Sequence, residues 1–397
     1  MHKASDRIEN LSESQTIAMS QRSRELQQQG IDIINLSLGE PDFPTPMFIN
    51  DAAKKAIDNN FTKYTPVSGY QDLREAISLK FKRDNNIDYN INQIVVSTGA
   101  KQTIANAVLS LVNPGDEVIV PAPYWVSYIE IIKMAEGIPV IVEATIKNDF
   151  KITAEQLKKA ITDKTKMMIY SSPCNPTGSI YSKAELAALA KVIATKKDFY
   201  VLSDEIYEHI NFVGKHESLA QFPEIYEQVI TVNGVSKGFA MTGWRLGFMG
   251  APKWIAAACD KMQGQFTSGT CSITQKAVVA AMNADPSVTF EMRDAFHQRR
   301  DYVLSRLNQI EGVKTNTPEG AFYVFPDISA FFGKNHQGKT IENATDLSMY
   351  LLEEAQVAIV TGEAFGSPNC IRFSYATSLD VLEKAMNRIE RALNDLN

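Results

Sequence analysis

Cysteine and histidine are scarce in this sequence of 397 residues, which contains four of the former and five of the latter. The cysteines lie far apart, and they show neither the pattern of a disulfide-rich secreted domain nor the paired spacing of a zinc site. The histidines also lack a nearby second set of ligands. We therefore expect no metal site, and we expect thiols that remain reduced.

Long apolar runs and blocks of like charge are missing as well. No run approaches the length of a transmembrane helix. The N-terminal stretch MHKASDRIENLSES contains Asp6 and Glu9 and has no apolar region of the kind found in signal peptides. The net charge of -6 is spread along the chain without a basic stripe, which argues against nucleic acid and anionic membranes as partners. These patterns predict a cytoplasmic protein that binds a small molecule.

Short runs rich in valine and isoleucine alternate with helical patterns between about residue 90 and residue 250. This alternation is typical of βα units around a buried, mostly parallel sheet, so we predict the α/β class. The predicted strands are QIVVS, DEVIV, KMMIY, FYVLS, QVITV and RLGFM, at 93–97, 116–120, 166–170, 199–203, 228–232 and 245–249. Ser182 and Glu185 form a capping box that predicts a helix in SKAELAALAKVIATKKD, and a further helix is expected to start near Lys101.

The composition changes near residue 290, where a long charged helix is followed by GAFYVFPDI and then by a second helix and strand. The first 40 or so residues hold a predicted helix that Gly30 ends, and then a strand that enters a proline-rich turn. We predict an N-terminal segment of a small domain at 1–45, a large domain at 46–290 and the C-terminal part of the small domain at 291–397.

Polar loops follow the predicted strands, and ligands of open α/β sheets bind at that end of the strands. The turn TGAKQT leads into a helix N-terminus, which suits a phosphate, although many such turns hold glycine for geometry alone. Asp204 either caps a helix in EIYEHI or points a carboxylate at a cationic ring nitrogen.

Lys237 and Arg372 can each be interpreted as an ordinary surface or structural residue or as a residue of an active site. A lone lysine such as Lys237 is usually a solvated surface residue, and its use as a nucleophile requires a lowered pKa or a standing Schiff base. Arg372 lies between Ile371 and Phe373 in CIRFSYA, which predicts a partly buried guanidinium with an anionic partner. That partner is either a structural carboxylate or the carboxylate of a substrate.

Taken together, the loops resemble the class I aminotransferases of pyridoxal-phosphate fold type I, and bacterial aspartate and aspartate-prephenate aminotransferases in particular. The resemblance covers nearly the whole chain. It rests on LGEPDFPTP, KYTPVSG, TGAKQ, PYWVSY, NPTG, SDEIYE, SKGFAMTGWR and RFSYATS, which occur in the family's order. It implies a large domain with a mostly parallel central sheet and a smaller α+β domain built from both chain ends.

The resemblance also implies roles toward pyridoxal 5'-phosphate. Lys237 is expected to form the Schiff base with the cofactor and to move a proton between the substrate Cα and the cofactor C4′. Asp204 is expected to keep the ring nitrogen protonated. The resemblance assigns the other cofactor contacts to Tyr207 and Asn175 at the phenolic oxygen, to Trp125 on the ring face, to Ser236, Arg245, Gly99, Ala100 and Lys101 at the phosphate, and to Tyr64 of a second subunit in a homodimer with shared sites. Many relatives have serine three residues before the lysine, where this chain has Gly234.

For the substrate, the resemblance implies that Arg372 binds the α-carboxylate with help from Gly39 and Asn175, beside Trp125. Lys101 is expected to contact the distal carboxylate, and Thr16 is associated with the site. From residue type alone, a solvated lysine or an extra phosphate contact explains Lys101 equally well.

These roles predict an aspartate aminotransferase that forms oxaloacetate and L-glutamate from L-aspartate and 2-oxoglutarate by ping-pong half-reactions through the pyridoxamine form, with prephenate as a second possible oxo acid. The rival interpretations are an aromatic or alanine aminotransferase, a carbon–sulfur lyase, a regulator that binds the cofactor without turnover, and an inactive homologue.

Overall fold

A computed structural model describes residues 4–397, so the first three residues of the predicted segment 1–45 lie outside it. A seven-stranded sheet forms the centre of the larger part. In spatial order its strands are Ile94–Ser97, Gly247–Gly250, Val229–Gly234, Tyr200–Asp204, Thr165–Ser171, Glu117–Ala122 and Ile138–Glu143.

The sheet is mostly parallel. Gly247–Gly250 runs antiparallel to both of its neighbours, whereas the other neighbouring strands pair in parallel. The central strands are buried along their whole length, as in Val229–Gly234. Continuous apolar runs are typical of strands covered on both faces, and the predicted α/β class is confirmed.

Helices cover both faces of this sheet and surround a smaller core. The α-helices of the described residues are Asp6–Glu9, Gln15–Gln28, Met47–Asp58, Gln71–Lys80, Ala100–Leu111, Ser127–Met134, Ala154–Ala160, Lys183–Ile193, Lys253–Phe266, Ser272–Asn283, Phe290–Leu307, Ala344–Glu353 and Leu379–Asn394. A π-helical turn, Phe81–Asn85, follows Gln71–Lys80. The short 3-10 segments are Ile91–Gln93, Ile146–Asn148, Leu219–Gln221, Pro223–Gln228, Thr242–Trp244, Pro286–Thr289, Ser329–Phe331 and Gly362–Phe365. Within residues 4–397, none of the helices is both long enough and apolar enough to span a bilayer.

The helix signals in the sequence are confirmed. The Ser182 side chain accepts a hydrogen bond from the Glu185 amide, and the Glu185 carboxylate accepts one from the Ser182 amide, so both halves of the capping box form. The helix expected near Lys101 begins at Ala100. Gly30 follows the helix Gln15–Gln28 with a φ of 85°, a left-handed conformation that glycine adopts at little cost.

Three predictions about elements differ from the structure. The segment EIYEHI forms turns and no helix, so the helix-cap interpretation of Asp204 is wrong. The last strand starts at Gly247 and not at Arg245, because Arg245 has a left-handed φ of 54°. The strand Ile138–Glu143 was not predicted; it lies at the edge of the sheet, is only half-buried and contains Pro139, which edge strands tolerate.

The smaller core brings the two chain ends together. Ile34–Asn35 pairs in parallel with Val357–Ala358. An antiparallel sheet of Val360–Thr361, Ile371–Ser374 and Tyr323–Val324 lies in the same part of the molecule, and Asn335–His336 pairs with Lys339–Thr340. This arrangement agrees with the α+β part built from both ends, while the boundaries at residues 45 and 290 stay predictions.

Candidate active site

A cavity of about 320 Å³ opens where the carboxyl ends of the central strands face the smaller core. Twelve of the residues singled out in the sequence line it: Thr16, Gly39, Ala100, Lys101, Trp125, Asn175, Asp204, Tyr207, Ser236, Lys237, Arg245 and Arg372. Because loops at one end of a parallel sheet converge, residues far apart in the sequence share a single space there.

Lys237 points into this cavity from the turn that follows Val229–Gly234. Its Nζ donates a hydrogen bond of 2.5 Å to the Gly39 carbonyl. Burial is the largest cause that lowers the pKa of Lys237 to about 8; Arg372 and Arg245 act in the same direction, while Glu40 and Asp204 act in the opposite direction. At that pKa about one molecule in ten carries a neutral amine at pH 7. The surface role considered for a lone lysine therefore does not apply.

Asp204 ends the strand Tyr200–Asp204 and is buried at the floor of the cavity. Its carboxylate accepts hydrogen bonds from the Tyr128 hydroxyl at 2.7 Å and from the Ile206 amide at 3.3 Å. Burial raises the pKa of Asp204 to about 6, against the effect of these hydrogen bonds. A cationic partner, such as a protonated ring nitrogen, would stabilise the charged form of this buried carboxylate.

Arg372 lies in the strand Ile371–Ser374 with 2% of its surface exposed. Its guanidinium donates to Asn175 Oδ1 at 3.0 Å and to the Ser37 carbonyl at 2.5 Å, while Nε has no partner. Burial lowers the pKa of Arg372. Among the described residues no carboxylate forms an ion pair with it, so the structural carboxylate considered as its partner is not there. A buried cation without a counter-ion is a binding site for an anion.

A second group of donors surrounds the N-terminus of the helix Ala100–Leu111. A Cβ atom at Gly99 would stand 2.6 Å from Arg245 Nη2, so the guanidinium lies directly against this turn. Arg245 donates to the Thr242 carbonyl at 2.9 Å, and Ser236 also lines the cavity. A helix N-terminus, a guanidinium and a hydroxyl together suit a phosphate dianion.

Lys101 and Trp125 form the outer wall of the cavity. Lys101 Nζ lies 5.0 Å from the centre of the Trp125 ring, which is a cation–π distance. Burial lowers the pKa of Lys101, and the charge of Arg245 adds to this effect. Thr16, from the helix Gln15–Gln28, faces the same space. The wall therefore combines a cation with an aromatic surface.

Tyr64 is the one predicted site residue that lies away from the cavity, and its surface is 100% exposed. This position is the one expected of a residue that serves a neighbouring subunit, and that role stays a prediction. Gly99 does not line the cavity with its own atoms but borders Arg245 as described above.

Two tyrosines of the site were not assigned a role from the sequence. Tyr128 bonds Asp204, and the Tyr323 hydroxyl lies 2.8 Å from the Tyr207 hydroxyl. Both are buried. Their sequence motifs, PYWVSY and GAFYVFPDI, gave no sign of these contacts, because the partners are 76 and 116 residues away in the chain.

A buried ionic cluster supports the turn that carries Asp204 and Tyr207. Glu208 pairs with Lys80 and accepts a hydrogen bond from Asn85 at 2.8 Å. Glu205 pairs with His216 at 2.9 Å and accepts from Ser218. The acidic and histidine groups come close enough together for a metal ion, but the ammonium of Lys80 already supplies the positive charge between them.

The chemistry of the cavity fits pyridoxal phosphate. A lysine with a lowered pKa suits an aldehyde, a buried carboxylate suits the ring nitrogen, and the donors beside Gly99 suit the phosphate. The unpaired Arg372 then remains available for a carboxylate of the substrate. This fit rests on the donor set and its geometry.

Comparison with known proteins points the same way. Residues 31–389 match the family described as aminotransferase class I and II. A Petunia hybrida protein named bifunctional aspartate aminotransferase and glutamate/aspartate-prephenate aminotransferase is 46% identical over 394 residues, which are 98% of this chain and 82% of that protein. The aspartate aminotransferase of Rhizobium meliloti is 40% identical with a TM-score of 0.97 over 100% of both chains. The structure of the Thermus thermophilus aspartate aminotransferase with maleate is 39% identical with a TM-score of 0.93, over 99% of this chain and 100% of that one.

Proposed function

The chain belongs to the class I and II aminotransferases and has the architecture of their fold type I members; from this premise we propose that it is a pyridoxal-phosphate-dependent aspartate aminotransferase. It transfers the amino group of L-aspartate to 2-oxoglutarate, giving oxaloacetate and L-glutamate. The observation that carries the proposal is one cavity that holds Lys237, Asp204 and an Arg372 without a carboxylate partner among the described residues.

Bound pyridoxal phosphate supplies an aldehyde that condenses with amines and a ring that accepts electrons. Lys237 would hold the cofactor through its aldehyde. Its lowered pKa leaves the freed Nζ ready to take a proton from the substrate Cα and to deliver it to the cofactor C4′. Asp204 holds the proton on the ring nitrogen.

Arg372 orients the substrate by binding its α-carboxylate with two parallel hydrogen bonds, while Asn175 Oδ1 fixes the guanidinium. Tyr207 and Asn175 would hold the phenolic oxygen of the cofactor, and Trp125 would stack on its ring. Ser236, Arg245 and the turn Gly99–Lys101 hold its phosphate. Because the smaller core supplies Arg372, its approach to the sheet excludes water during proton transfer.

Lys101 makes the site selective for dicarboxylates. It lines the cavity beside Trp125, and Thr16 lines the same cavity; in this proposal it binds the carboxylate at the other end of the substrate from Arg372. The structure of the Thermus thermophilus aspartate aminotransferase, which is 39% identical, contains maleate, a dicarboxylate. An unpaired carboxylate in a closed site costs several kcal/mol, so each substrate carboxylate needs its own cation.

Prephenate is a second candidate oxo acid. It also has two carboxylates, and the Petunia hybrida relative is named for an aspartate-prephenate activity as well as for aspartate. The same pair, Arg372 and Lys101, serves both substrates in this proposal. Arogenate, the amino acid product of this reaction, is then a substrate in the reverse direction.

Absorption spectroscopy tests the proposed function. The protein loaded with pyridoxal phosphate is mixed separately with aspartate, glutamate, alanine, phenylalanine and arogenate, and loss of the absorption of the lysine-bound cofactor is recorded. Aspartate and glutamate should remove that absorption at low concentration, and arogenate should do so if prephenate is a substrate. A response to alanine or phenylalanine alone would disprove the dicarboxylate preference, and no response to any amino acid would favour a lyase or a non-catalytic binder.

The protein also works as a homodimer with shared sites in this proposal. Tyr64 is fully exposed, and the apolar side chains of Met47 and Phe266 are 66% and 67% exposed. A mixture of Tyr64→Ala and Lys237→Ala proteins, refolded together, should regain activity because one of the two sites in a hybrid dimer is intact. A monomer in analytical ultracentrifugation, or no recovery of activity, would contradict the proposal.

The proposed location is the cytoplasm. All four cysteines are free, and three of them are buried, which is typical of proteins in a reducing compartment. Cell fractionation followed by an activity assay measures the location directly.

A further inference from the structure

Tyr323 is a buried residue of the site that has no assigned role. It lies in the strand Tyr323–Val324 of the smaller core with 1% of its surface exposed. Its hydroxyl lies 2.8 Å from the Tyr207 hydroxyl, and the two rings meet edge to face with centres 5.8 Å apart. Among the described residues, neither hydroxyl has another hydrogen-bond partner. Within residues 4–397, the two hydroxyls therefore bond only to each other.

We propose that Tyr323 is a positioning residue, whose hydroxyl orients Tyr207 toward the phenolic oxygen of the cofactor and whose ring supports the guanidinium of Arg372. This inference rests on the proposed function, because it concerns the same cofactor and the same substrate carboxylate. It adds a second contact between the cofactor end and the substrate end of the site, beside that of Asn175.

Either hydroxyl of the pair can donate to the other, and the proposed role requires Tyr323 to donate to Tyr207. A phenol has one proton to donate and can also accept. When Tyr323 donates to Tyr207, the Tyr207 proton is free for the phenolic oxygen of the cofactor, and a donor that also accepts becomes a stronger donor. Burial raises the pKa of both tyrosines, so both stay protonated. The charged groups that face the pair are Arg372, Asp204 and Lys237.

The ring of Tyr323 contacts the cation that binds the substrate. The Arg372 guanidinium carbon lies 4.6 Å from the ring centre, and Phe365 contacts the guanidinium from 4.9 Å. In the sheet, Tyr323 pairs with Ser374, which is two residues beyond Arg372 on the same face of its strand. A cation–π contact stabilises a buried guanidinium that has no counter-ion.

The same side chain also borders the acceptor of Lys237. A Cβ atom at Gly39 would stand 2.4 Å from the Tyr323 hydroxyl oxygen, and the Gly39 carbonyl accepts the hydrogen bond of Lys237. Tyr323 thus contacts or borders three groups that have to be aligned for proton transfer: Tyr207, Arg372 and the Gly39 peptide.

The test is a pH titration of the cofactor absorption in the protein loaded with pyridoxal phosphate. In Tyr323→Phe, Tyr207 becomes a weaker donor, so the phenolic oxygen keeps more negative charge beside the lysine-derived nitrogen. That nitrogen then holds its proton to higher pH, and the titration midpoint should rise by a few tenths of a pH unit. Tyr375→Phe is the matched control, because the Tyr375 hydroxyl is buried in the same core but donates to the Ala321 carbonyl at 3.2 Å. Its midpoint should stay at the parental value.

A double-mutant cycle separates positioning from general damage. In a Tyr207→Phe background, Tyr323→Phe should produce no further change of the midpoint, because its effect acts through Tyr207. An equal shift in that background, or no shift in the single variant, would overturn the role of the hydroxyl. A Tyr323→Phe protein that unfolds while Tyr375→Phe stays folded would assign the hydroxyl to stability and overturn it as well.

Steady-state kinetics tests the role of the ring. Tyr323→Leu removes the aromatic face, so the KM for aspartate should rise about two- to tenfold above that of Tyr323→Phe. Equal KM values in the two variants would overturn the contact with Arg372. If the unaltered protein shows no cofactor absorption at all, the proposed function fails together with this inference, whereas a normal parental titration with unmoved variants refutes the inference alone.

Discussion

Replacement of Arg372 by methionine tests whether this arginine binds a ligand or stabilises the fold. The guanidinium is 2% exposed and has hydrogen bonds to Asn175 and Ser37 but no carboxylate partner in residues 4–397. Truncation of one partner of a buried charge pair costs about 2–5 kcal/mol. If the substrate carboxylate is that partner, kcat/KM should fall about 30- to 5000-fold. Because every substrate has an α-carboxylate, the loss should be similar for aspartate and glutamate.

Arg300 is the matched control. It is also a buried arginine, but it is paired with Asp301 at 2.6 Å and donates to the Pro318 carbonyl at 2.9 Å. Arg300→Met should therefore destabilise the fold by about 1–3 kcal/mol and leave substrate affinity unchanged. Arg372→Met leaves Asn175 Oδ1 and the Ser37 carbonyl without their donor but also removes a buried charge that has no counter-ion, so it should destabilise the fold no more than Arg300→Met does.

Urea unfolding and steady-state kinetics of the two variants provide the assay, together with thermal unfolding in the presence of maleate, a dicarboxylate that lacks an amino group. Maleate at about 100 times its Kd should stabilise the parent and Arg300→Met by about 2.7 kcal/mol and should not stabilise Arg372→Met at the same concentration. The reasoning is refuted if Arg372→Met keeps kcat/KM within threefold of the parent, or if Arg300→Met loses as much substrate affinity.

Three further variants test other parts of the site. Lys237→Ala should lose the lysine-bound cofactor absorption and its transamination; turnover at the parental rate in a single-turnover assay would rule out the proton shuttle. Lys101→Ser should lower kcat/KM for aspartate about 10- to 150-fold, which is the range of a charged hydrogen bond, and leave phenylalanine unchanged; equal losses for both would remove its role at the distal carboxylate. Burial alone would raise the pKa of Glu208, but Lys80 and two histidines lower it to about 2, below its ordinary value of 4.5. Its stabilisation is thus present above pH 4.5 and is lost as the pH falls toward 2, so urea midpoints should fall more steeply over this range in the parent than in Glu208→Gln; parallel slopes would contradict it.

The sequence was sufficient to predict the parts of the fold that depend on local patterns. Continuous valine and isoleucine runs predict buried parallel strands, and the capping box at Ser182 predicts its helix, because both signals lie within a few residues. The edge strand Ile138–Glu143 escaped prediction although IPVIV is a continuous apolar run, because Pro139 argues against a strand in the interior of a sheet and is tolerated at an edge, which only the folded chain defines. The helix predicted in EIYEHI does not form for a different reason. Glu205 and Glu208 pair with His216 and Lys80, which lie outside the segment, and these contacts override the local helical pattern.

The residues of the site also fall into those that local patterns predict and those that they do not. Its loops were predictable because each follows a strand and all loops at that end of a sheet converge. The supporting hydroxyls were not, because Tyr128 and Tyr323 act through partners that only the folded chain brings near. Arg245 shows both effects: its place in the motif was predictable, but its left-handed backbone was not, since that conformation accompanies the close approach of its guanidinium to Gly99.

The electrostatics of the cavity connect cofactor binding, substrate choice and proton transfer. The chain has a net charge of -6, yet the cavity gathers Lys101, Arg245, Lys237 and Arg372 around a single lining carboxylate, Asp204. This local excess attracts anionic ligands despite the overall charge. The same arginines help to lower the pKa of Lys237, so in the proposed reaction the charges that attract the ligands would also keep an amine available for the aldehyde. Binding of a phosphate beside Arg245 and of a carboxylate at Arg372 neutralises those charges. In the proposed reaction, the proton affinity of Lys237 would then rise at the stage in which it takes a proton from the substrate.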